Sequence, residues 1–325
     1  MRIVKSTVLI LIIAVFIASC NPSPAQTPEL PILKVAALPI IDTLPLFVAE
    51  KEGLFADAGV KVEFIPVASA PERDQLIVSN QADGMINETL STFFFNKEQT
   101  QIQIVRYALV PFPNSGHFFI LASEKSGITT PEELKGVEIG VSQGTIIEYV
   151  TYRLLQENGI DKADIKTIAV PKISDRLALL DSGQLSAAVM PDPLAALAVQ
   201  QGAKVILDDS TFPQYGFSVY SFRTATIEEN PAAIKAFLVA IGQATNLINN
   251  NPSSYKDILT DQKLVPAPLL ESYRVPIFPR AGIPSEAEWN DAQVWAKEMG
   301  LLDVYVPYQG SVTAEYLPEV SSIPQ

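Results

Sequence analysis

Short β-rich runs alternate with amphipathic helical windows along nearly the whole of this 325-residue chain, and a proline-rich stretch at 110–116 breaks the rhythm once. That alternation predicts a parallel or mixed sheet covered by helices, because each helix buries its apolar stripe by folding back onto the strand before it. The first unit reads 33–38 as strand and 44–52 as helix, with Gly53 as its C-terminal stop. A strand over 61–67 follows. Ser69-Ala-Pro-Glu72 then has capping-box spacing before a helix that runs to Ser79. Strands over 84–87 and 102–109 complete the series.

After Val110-Pro-Phe-Pro-Asn-Ser-Gly116 a second series begins, with strands over 117–122, 138–141, 165–170, 187–190 and 204–207. Thr130-Pro-Glu-Glu133 predicts a helix start with proline at its first position. The run 217–222 alternates as a strand, and 227–249 and 285–299 read as long amphipathic helices, the latter opened by Ser285-Glu-Ala-Glu288. The expected organisation is lobe 1 from 32–110 plus 215–325, lobe 2 from 116–207, and hinge crossings at 110–116 and 208–216. No tandem repeat of fixed period is visible.

The N-terminus predicts where such a body works. Arg2 and Lys5 precede the apolar run 8–19, which is short for a bilayer span and ends in small residues, as a secretory signal peptide over 1–19 does. Ile17-Ala-Ser-Cys20 resembles the bacterial lipobox, which implies that Cys20 is lipidated (diacylated, palmitate-type) and becomes the first residue of the mature protein. Proline-rich 20–31 reads as the lipidated tether. Cys20 is the sole cysteine, so the body has no disulfides and relies on core burial. With 48% hydrophobic and 18% charged residues the body is globular, and no apolar stretch after residue 20 is expected to reach spanning length. Loss of Arg2 and Lys5 takes the formal charge from -13 to -15, which argues against nucleic acid as a partner. The expected place is the extracytoplasmic face of the bacterial cell membrane, lipid-anchored.

Four segments carry a resemblance to a known family: Pro45-Leu-Phe-Val-Ala-Glu-Lys-Glu-Gly-Leu-Phe-Ala-Asp-Ala-Gly59, Leu134-Lys-Gly-Val-Glu-Ile-Gly-Val-Ser-Gln-Gly-Thr145, Leu179-Leu-Asp-Ser-Gly-Gln-Leu-Ser-Ala-Ala-Val-Met-Pro-Asp-Pro193, and Gln201-Gly-Ala-Lys-Val-Ile-Leu-Asp-Asp209. Their order over 32–250 resembles the substrate-binding proteins of ABC importers for nitrate, sulfonates, taurine and thiamine-pyrimidine precursors. Ser186 departs from the pattern, where aspartate is commoner. The resemblance implies a two-lobed α/β periplasmic-binding-protein fold, type II-like. It further implies a monomer that takes a small-molecule ligand in the cleft and partners with permease and ATPase subunits, with no cofactor.

Ligands in open α/β sheets settle at the carboxyl ends of strands, and that rule selects the candidate residues. Asp42 and Thr43 follow the first strand, and either bind ligand or cap the next helix. Asn87 and Glu88 end the third strand. In Ser142-Gln143-Gly144-Thr145, Gly144 is expected to let the backbone approach a ligand while Ser142, Gln143 and Thr145 add polar groups to the free N–H groups of a helix start. Asp192 ends a strand and either accepts from a ligand or caps. Asn114, Ser115 and His117, with Tyr215, Gly216 and Ser218, should form the cleft floor, Tyr215 offering a ring for stacking. Of Phe93, Phe94 and Phe95, two are expected in the core and one at the cleft wall. Acidic Asp42, Glu88 and Asp192, with no arginine or lysine in the same loops, favour a neutral or amine-bearing ring such as a thiamine-type pyrimidine, with sulfonate or nitrate left open.

Alternatives are a thiamine-pyrimidine-synthesis-like enzyme or a non-transport signalling lipoprotein on the same fold. A eukaryotic branch resembling this family uses a histidine and a cysteine-rich segment, and this chain offers only His117 and the lipid-bearing Cys20. No Gly-x-Ser-x-Gly turn follows a strand. Carboxylates on three separate loops, Asp42, Glu88 and Asp192, are a weak metal signal. Neither catalysis nor a metal is expected.

Overall fold

The computed structural model describes residues 29–318; Cys20, the predicted signal peptide and most of the tether lie outside the described residues. In chain order the first series is β1 (Ile32–Ala37), α1 (Leu44–Lys51), α2 (Leu54–Ala58), β2 (Lys61–Pro66), α3 (Ala70–Val78), β3 (Gly84–Asn87), α4 (Thr89–Asn96) and β4 (Ile102–Leu109). The second is β5 (Phe118–Ala122), β6 (Glu138–Val141), α5 (Ile146–Glu157), β7 (Lys166–Ala169), α6 (Ile173–Ser182), β8 (Ala187–Pro191), α7 (Leu194–Gln200) and β9 (Lys204–Asp208). The chain then runs through β10 (Ser218–Arg223), α8 (Thr224–Glu229), α9 (Pro231–Asn250), α10 (Lys256–Asp261) and α11 (Glu286–Glu298).

Two five-stranded mixed sheets result, ordered β2-β1-β3-β10-β4 and β7-β6-β8-β5-β9. In the first, β1 pairs in parallel with β2 and β3, and β10 lies antiparallel between β3 and β4. The second repeats the plan, β6 parallel to β7 and β8, β5 antiparallel to β8 and β9. Both passages between the sheets follow from this order: β4 leads to β5, and β9 leads back to β10.

Local signals explain several element ends. Ser285 and Glu288 form the reciprocal capping box that opens α11. Ser69 accepts from the Glu72 N–H, but the Glu72 carboxylate takes the N–H of Ala68, one residue earlier than a closed box requires. The helix predicted from Thr130 is only a single 3-10 turn, Pro131–Leu134, because Lys135 leaves the helical region and Gly136 turns the chain at φ +74°. The helix predicted over 227–249 is two helices. Asn230 adopts φ -136°, ψ 55°, and Pro231 starts α9 at the position where a missing N–H costs nothing.

Two observations depart from the expectations. α9 is long and apolar enough to span a membrane by length and composition, contrary to the expectation for the body. It is instead the core helix of the first sheet: Phe237 stacks on Phe55 at 5.6 Å and meets the edges of Tyr220 and Phe222 at 5.5 and 5.0 Å. α11 does not stay with the first sheet. Its Trp289 meets Phe93 of α4 edge-on at 4.5 Å, while Trp295 packs on Tyr149 and Tyr152 of α5 at 5.5 and 5.7 Å. Asp291 accepts from Tyr149 Oη and Arg153 Nε at 2.6 and 2.8 Å. Aromatic burial of this size joins both lobes through one helix.

Candidate ligand site between the two lobes

A cavity of about 70 Å³ lies between the sheets. From the first come Asp42, Arg73, Asn87, Glu88 and Ser218 with Leu38, Ile40 and Ile86; from the second and the crossing come His117, Phe118, Ser142 and Thr145 with Ile146, Ile147, Pro171 and Ile173. Aliphatic side chains therefore supply most of the wall, and polar groups a minority of fixed positions.

Asp42 and His117 make the charged floor. Asp42 Oδ2 accepts from Ser218 Oγ at 2.5 Å, and Oδ1 lies 3.2 Å from His117 Nε2, with Asp42 fully buried. His117 Nδ1 donates to the Gly216 carbonyl at 2.7 Å. Both ring nitrogens thus face acceptors. Burial alone would lower the imidazole pKa, but the charge of Asp42 lifts it to about 9, and burial of Asp42 is likewise outweighed by His117 and Ser218, which hold its carboxyl below its usual range. The result is a buried imidazolium–carboxylate pair. In a hydrolytic triad histidine stands between serine and aspartate; here aspartate stands between serine and histidine, and no ring nitrogen is free to take a proton.

Glu88 caps α4, accepting from the Leu90 and Ser91 N–H groups at 2.8 and 3.2 Å. Burial pushes its carboxyl up to about 7; the Arg73 charge opposes this and Asp74 adds to it. Arg73 is the residue that a search of strand-end loops missed. It reaches the cavity from the first turn of α3, where Nη1 donates to the Ile86 carbonyl at 3.3 Å and Nη2 lies 2.7 Å from Asp74 Oδ1 and 3.7 Å from Glu88 Oε1. The absence of cations from the loops therefore says little about ligand charge. A signal existed: Arg73 and Ile77, four apart, are the buried residues of α3, which puts an arginine on an apolar stripe. Asn87 lines the cavity and is fixed by Ser221 Oγ, which donates to Oδ1 at 2.6 Å.

Ser142 and Thr145 line the cavity, Thr145 as the cap of α5, whereas Gln143 and Gly144 do not. Gln143 turns to Thr167, and the Gly144 N–H donates to Glu148 Oε2 at 2.8 Å. A Cβ on Gly144 would meet nothing within 4 Å, so its φ of +71°, not a close approach, is what calls for glycine. The expected anion grip at that amide is already occupied by a carboxylate.

The remaining candidates lie off the cavity. Thr43 donates to the Ile40 carbonyl at 2.7 Å and faces a neighbouring apolar cavity of about 350 Å³. Ser115 pairs with Phe112 in a turn after Asn114, and lines a separate void of about 20 Å³ with Asp192, whose carboxylate accepts from Tyr273 Oη. Tyr215 donates to Glu157 Oε1 at 2.6 Å and stacks near Phe212, so its ring is turned away. Phe93 and Phe95 are buried and Phe94 half-buried, and none of them lines the cavity. Among the described residues Asp42, Glu88 and Asp192 do not converge as a metal site. Sequence reasoning also missed Asp209. Its carboxylate accepts from the His117 and Phe118 N–H groups at 2.7 and 3.2 Å, and burial pushes it up to about 7 despite the His117 charge. Gly216 is the true close approach: a Cβ there would lie 1.7 Å from Asp209 Oδ2.

Comparison with known proteins agrees with this architecture. A putative aliphatic sulfonates-binding protein of Escherichia coli strain K12 is 28% identical over 155 residues, 47% of this chain and 48% of that protein, so the chain spans about half the length of that relative. One of the same name from Bacillus subtilis strain 168 is 23% identical over 273 residues, 80% and 79% of the two chains. The alkanesulfonate-binding protein SsuA from Xanthomonas axonopodis pv. citri bound to MOPS superposes with a TM-score of 0.73 over 88% of this chain and 99% of its own at 18% identity, which establishes the periplasmic-binding-protein fold. Residues 26–260, well over half of the chain, match the NMT1-like family, and the protein belongs to that family.

Proposed function

We propose that the protein is the extracytoplasmic solute-binding component of an ABC importer and that its cleft takes a short-chain organic anion of the aliphatic sulfonate kind. The observation that carries this reading is Arg73, a buried guanidinium lining a cavity that is otherwise mostly aliphatic: a charged head and an apolar tail are what such a surface complements. The Ser142 hydroxyl adds a donor at the opposite wall. Size points the same way. A water-sized group needs roughly 10–15 Å³, so about 70 Å³ holds a ligand of few heavy atoms. Naming of two curated relatives as sulfonate-binding proteins supports the same class.

Calorimetric titration with ethanesulfonate, butanesulfonate, taurine, nitrate and a thiamine-type pyrimidine tests the reading. A sulfonate should bind tightest, and Arg73→Met should weaken it by about 30-fold or more, since truncating one partner of a buried charge pair costs on the order of 2 kcal/mol or more. Preference for the pyrimidine would overturn it. We further infer that Cys20 carries the lipid anchor and that 110–116 and 208–216 act as the hinge between lobes. Cys20→Ser should release the protein from the membrane fraction, and retention at wild-type level would refute the anchor.

A further inference from the structure

Both sheets place one helix in the same way, and the second of these helices buries a charge without an acid beside it. α3 joins the edge strand β2 to the central strand β3, and α6 joins the edge strand β7 to the central strand β8 in the other lobe; their first residues, Ala70 and Ile173, both line the cavity. Three residues on, each helix buries an arginine, Arg73 at 4% exposure and Arg176 at 0%. Arg73 stands beside Asp74 and Glu88. Arg176 has one protein partner, the Val170 carbonyl at 3.1 Å from Nη1, and its Nε and Nη2 meet no acceptor among the described residues.

A guanidinium taken out of water without an acid is among the costlier arrangements a core holds, and an apolar side chain of similar length packs there at less cost. The fold therefore gains nothing from this charge. Its position is informative: Val170, which holds Nη1, is followed directly by Pro171, and Pro171 and Ile173 line the cavity. The guanidinium thus sits just behind the cavity wall of the second lobe, while Arg73 serves the wall of the first.

We propose that Arg176 is the second lobe's counter-charge for the acidic group of the ligand and a determinant of specificity for anions. An anion in the cavity meets one guanidinium whose charge its neighbours largely answer and one that nothing answers, so ligand binding supplies the charge that Arg176 lacks. The proposal rests on the organic-anion reading of the cleft.

The test compares wild type, Arg176→Met and Arg176→Lys by calorimetric titration with ethanesulfonate, butanesulfonate and nitrate, and by thermal melts without ligand. Arg176→Met should lose about 30-fold or more in affinity for the tightest anion, yet melt at or above wild type when empty. Arg176→Lys, which keeps the charge, should stay within about 10-fold. Wild-type affinity in Arg176→Met overturns the proposal and leaves the anion reading standing. A melt well below wild type makes Arg176 a structural residue and overturns it as well, as does a lysine variant that falls as far as the methionine one. If wild type takes none of the three anions, the organic-anion reading fails and the proposal fails with it.

Discussion

The first lobe meets the cleft with charges that answer one another, whereas the second meets it with aliphatic side chains and two hydroxyls. Arg73, Asp74 and Glu88 form one cluster within the first lobe, and Asp42 pairs with His117 from the crossing; Ile146, Ile147, Ile173 and Pro171 face them from the second. The strand orders are alike, so architecture does not cause the difference. A wall whose polar groups are already paired keeps its shape when empty and is pre-organised for a polar head. An aliphatic wall gains free energy only when it is covered. The contrast predicts that the paired charges of the first lobe set the orientation of the ligand's head, while the aliphatic side chains of the second lobe, in front of the buried Arg176, add affinity as the lobes close on its tail.

The contrast depends on register between the walls, and one residue holds it. Asp209 takes the N–H groups of His117 and Phe118, and Gly216 packs so closely that a Cβ would lie 1.7 Å from its carboxylate. Gly216→Ala must displace a fully buried acid that holds two amides. The expected loss exceeds about 5 kcal/mol, enough to leave little folded protein, as read by a urea melt. A loss below about 1 kcal/mol would show that the crossing yields freely and that the walls are not held together there.

Removing one partner from the paired charges should cost nearly as much. Asp42→Ala removes the main charge that holds His117 protonated and leaves its Nε2 and the Ser218 hydroxyl without their acceptor, for an expected loss of about 3–5 kcal/mol in denaturant. The equivalent operation in the second lobe, Arg176→Met, should cost nothing. Equal losses at the two sites would erase the distinction between an answered and an unanswered charge.

How far sequence reached differs by level. Most strands and the capping box at Ser285 rest on local periods and capping residues, which act over a few positions and are readable there, whereas the order of the strands within each sheet depends on pairing between remote segments. Asp42, Glu88, Ser142 and Thr145 reach the cavity because strand ends converge, a rule of topology. Arg73 and Asp209 escaped because their roles depend on contacts from elements remote in sequence: Ile86 and Glu88 for the one, the N–H groups of residues 117 and 118 for the other. Tyr215 misled for the same reason, since Glu157 and Tyr149 on α5, remote in sequence, help decide which way its ring turns. A single helix pattern across residue 230 hid one break, the Asn230–Pro231 step between α8 and α9.

Titration offers a milder way to perturb the charged wall. Glu88 and Asp209, both raised by burial to about 7, are protonated more readily in the folded chain than in the unfolded one. The stability this protonation contributes is present below their ordinary carboxylate range and is lost as pH rises through 7. His117, lifted to about 9, adds stability below its ordinary 6.5 that is lost as pH climbs through 9. Asp42 runs the other way, but its lowered pKa acts only below 3.8. All three raised groups thus pull in one direction, and stability at pH 5 should exceed that at pH 9 by about 2 kcal/mol or more. Melts across that range measure it, and Glu88→Gln should reduce the slope below 7 to the share that Asp209 contributes. A flat profile in wild type would mean that these groups titrate near their ordinary values.

Gly144→Ala gives the smallest effect and separates two meanings of glycine. If the second lobe bound ligand through the backbone at 142–145, a side chain there would block it. The Gly144 N–H instead donates to Glu148, and the space beyond its Cα is open. The sole penalty is the left-handed backbone at φ +71°, worth about 1 kcal/mol for alanine. Affinity should hold within about twofold while the urea midpoint drops slightly. A large loss of affinity with little change in stability would instead bring the ligand against that amide. The second wall would then bind by a polar backbone grip, and the contrast between a charged lobe and an aliphatic one would fail at this loop.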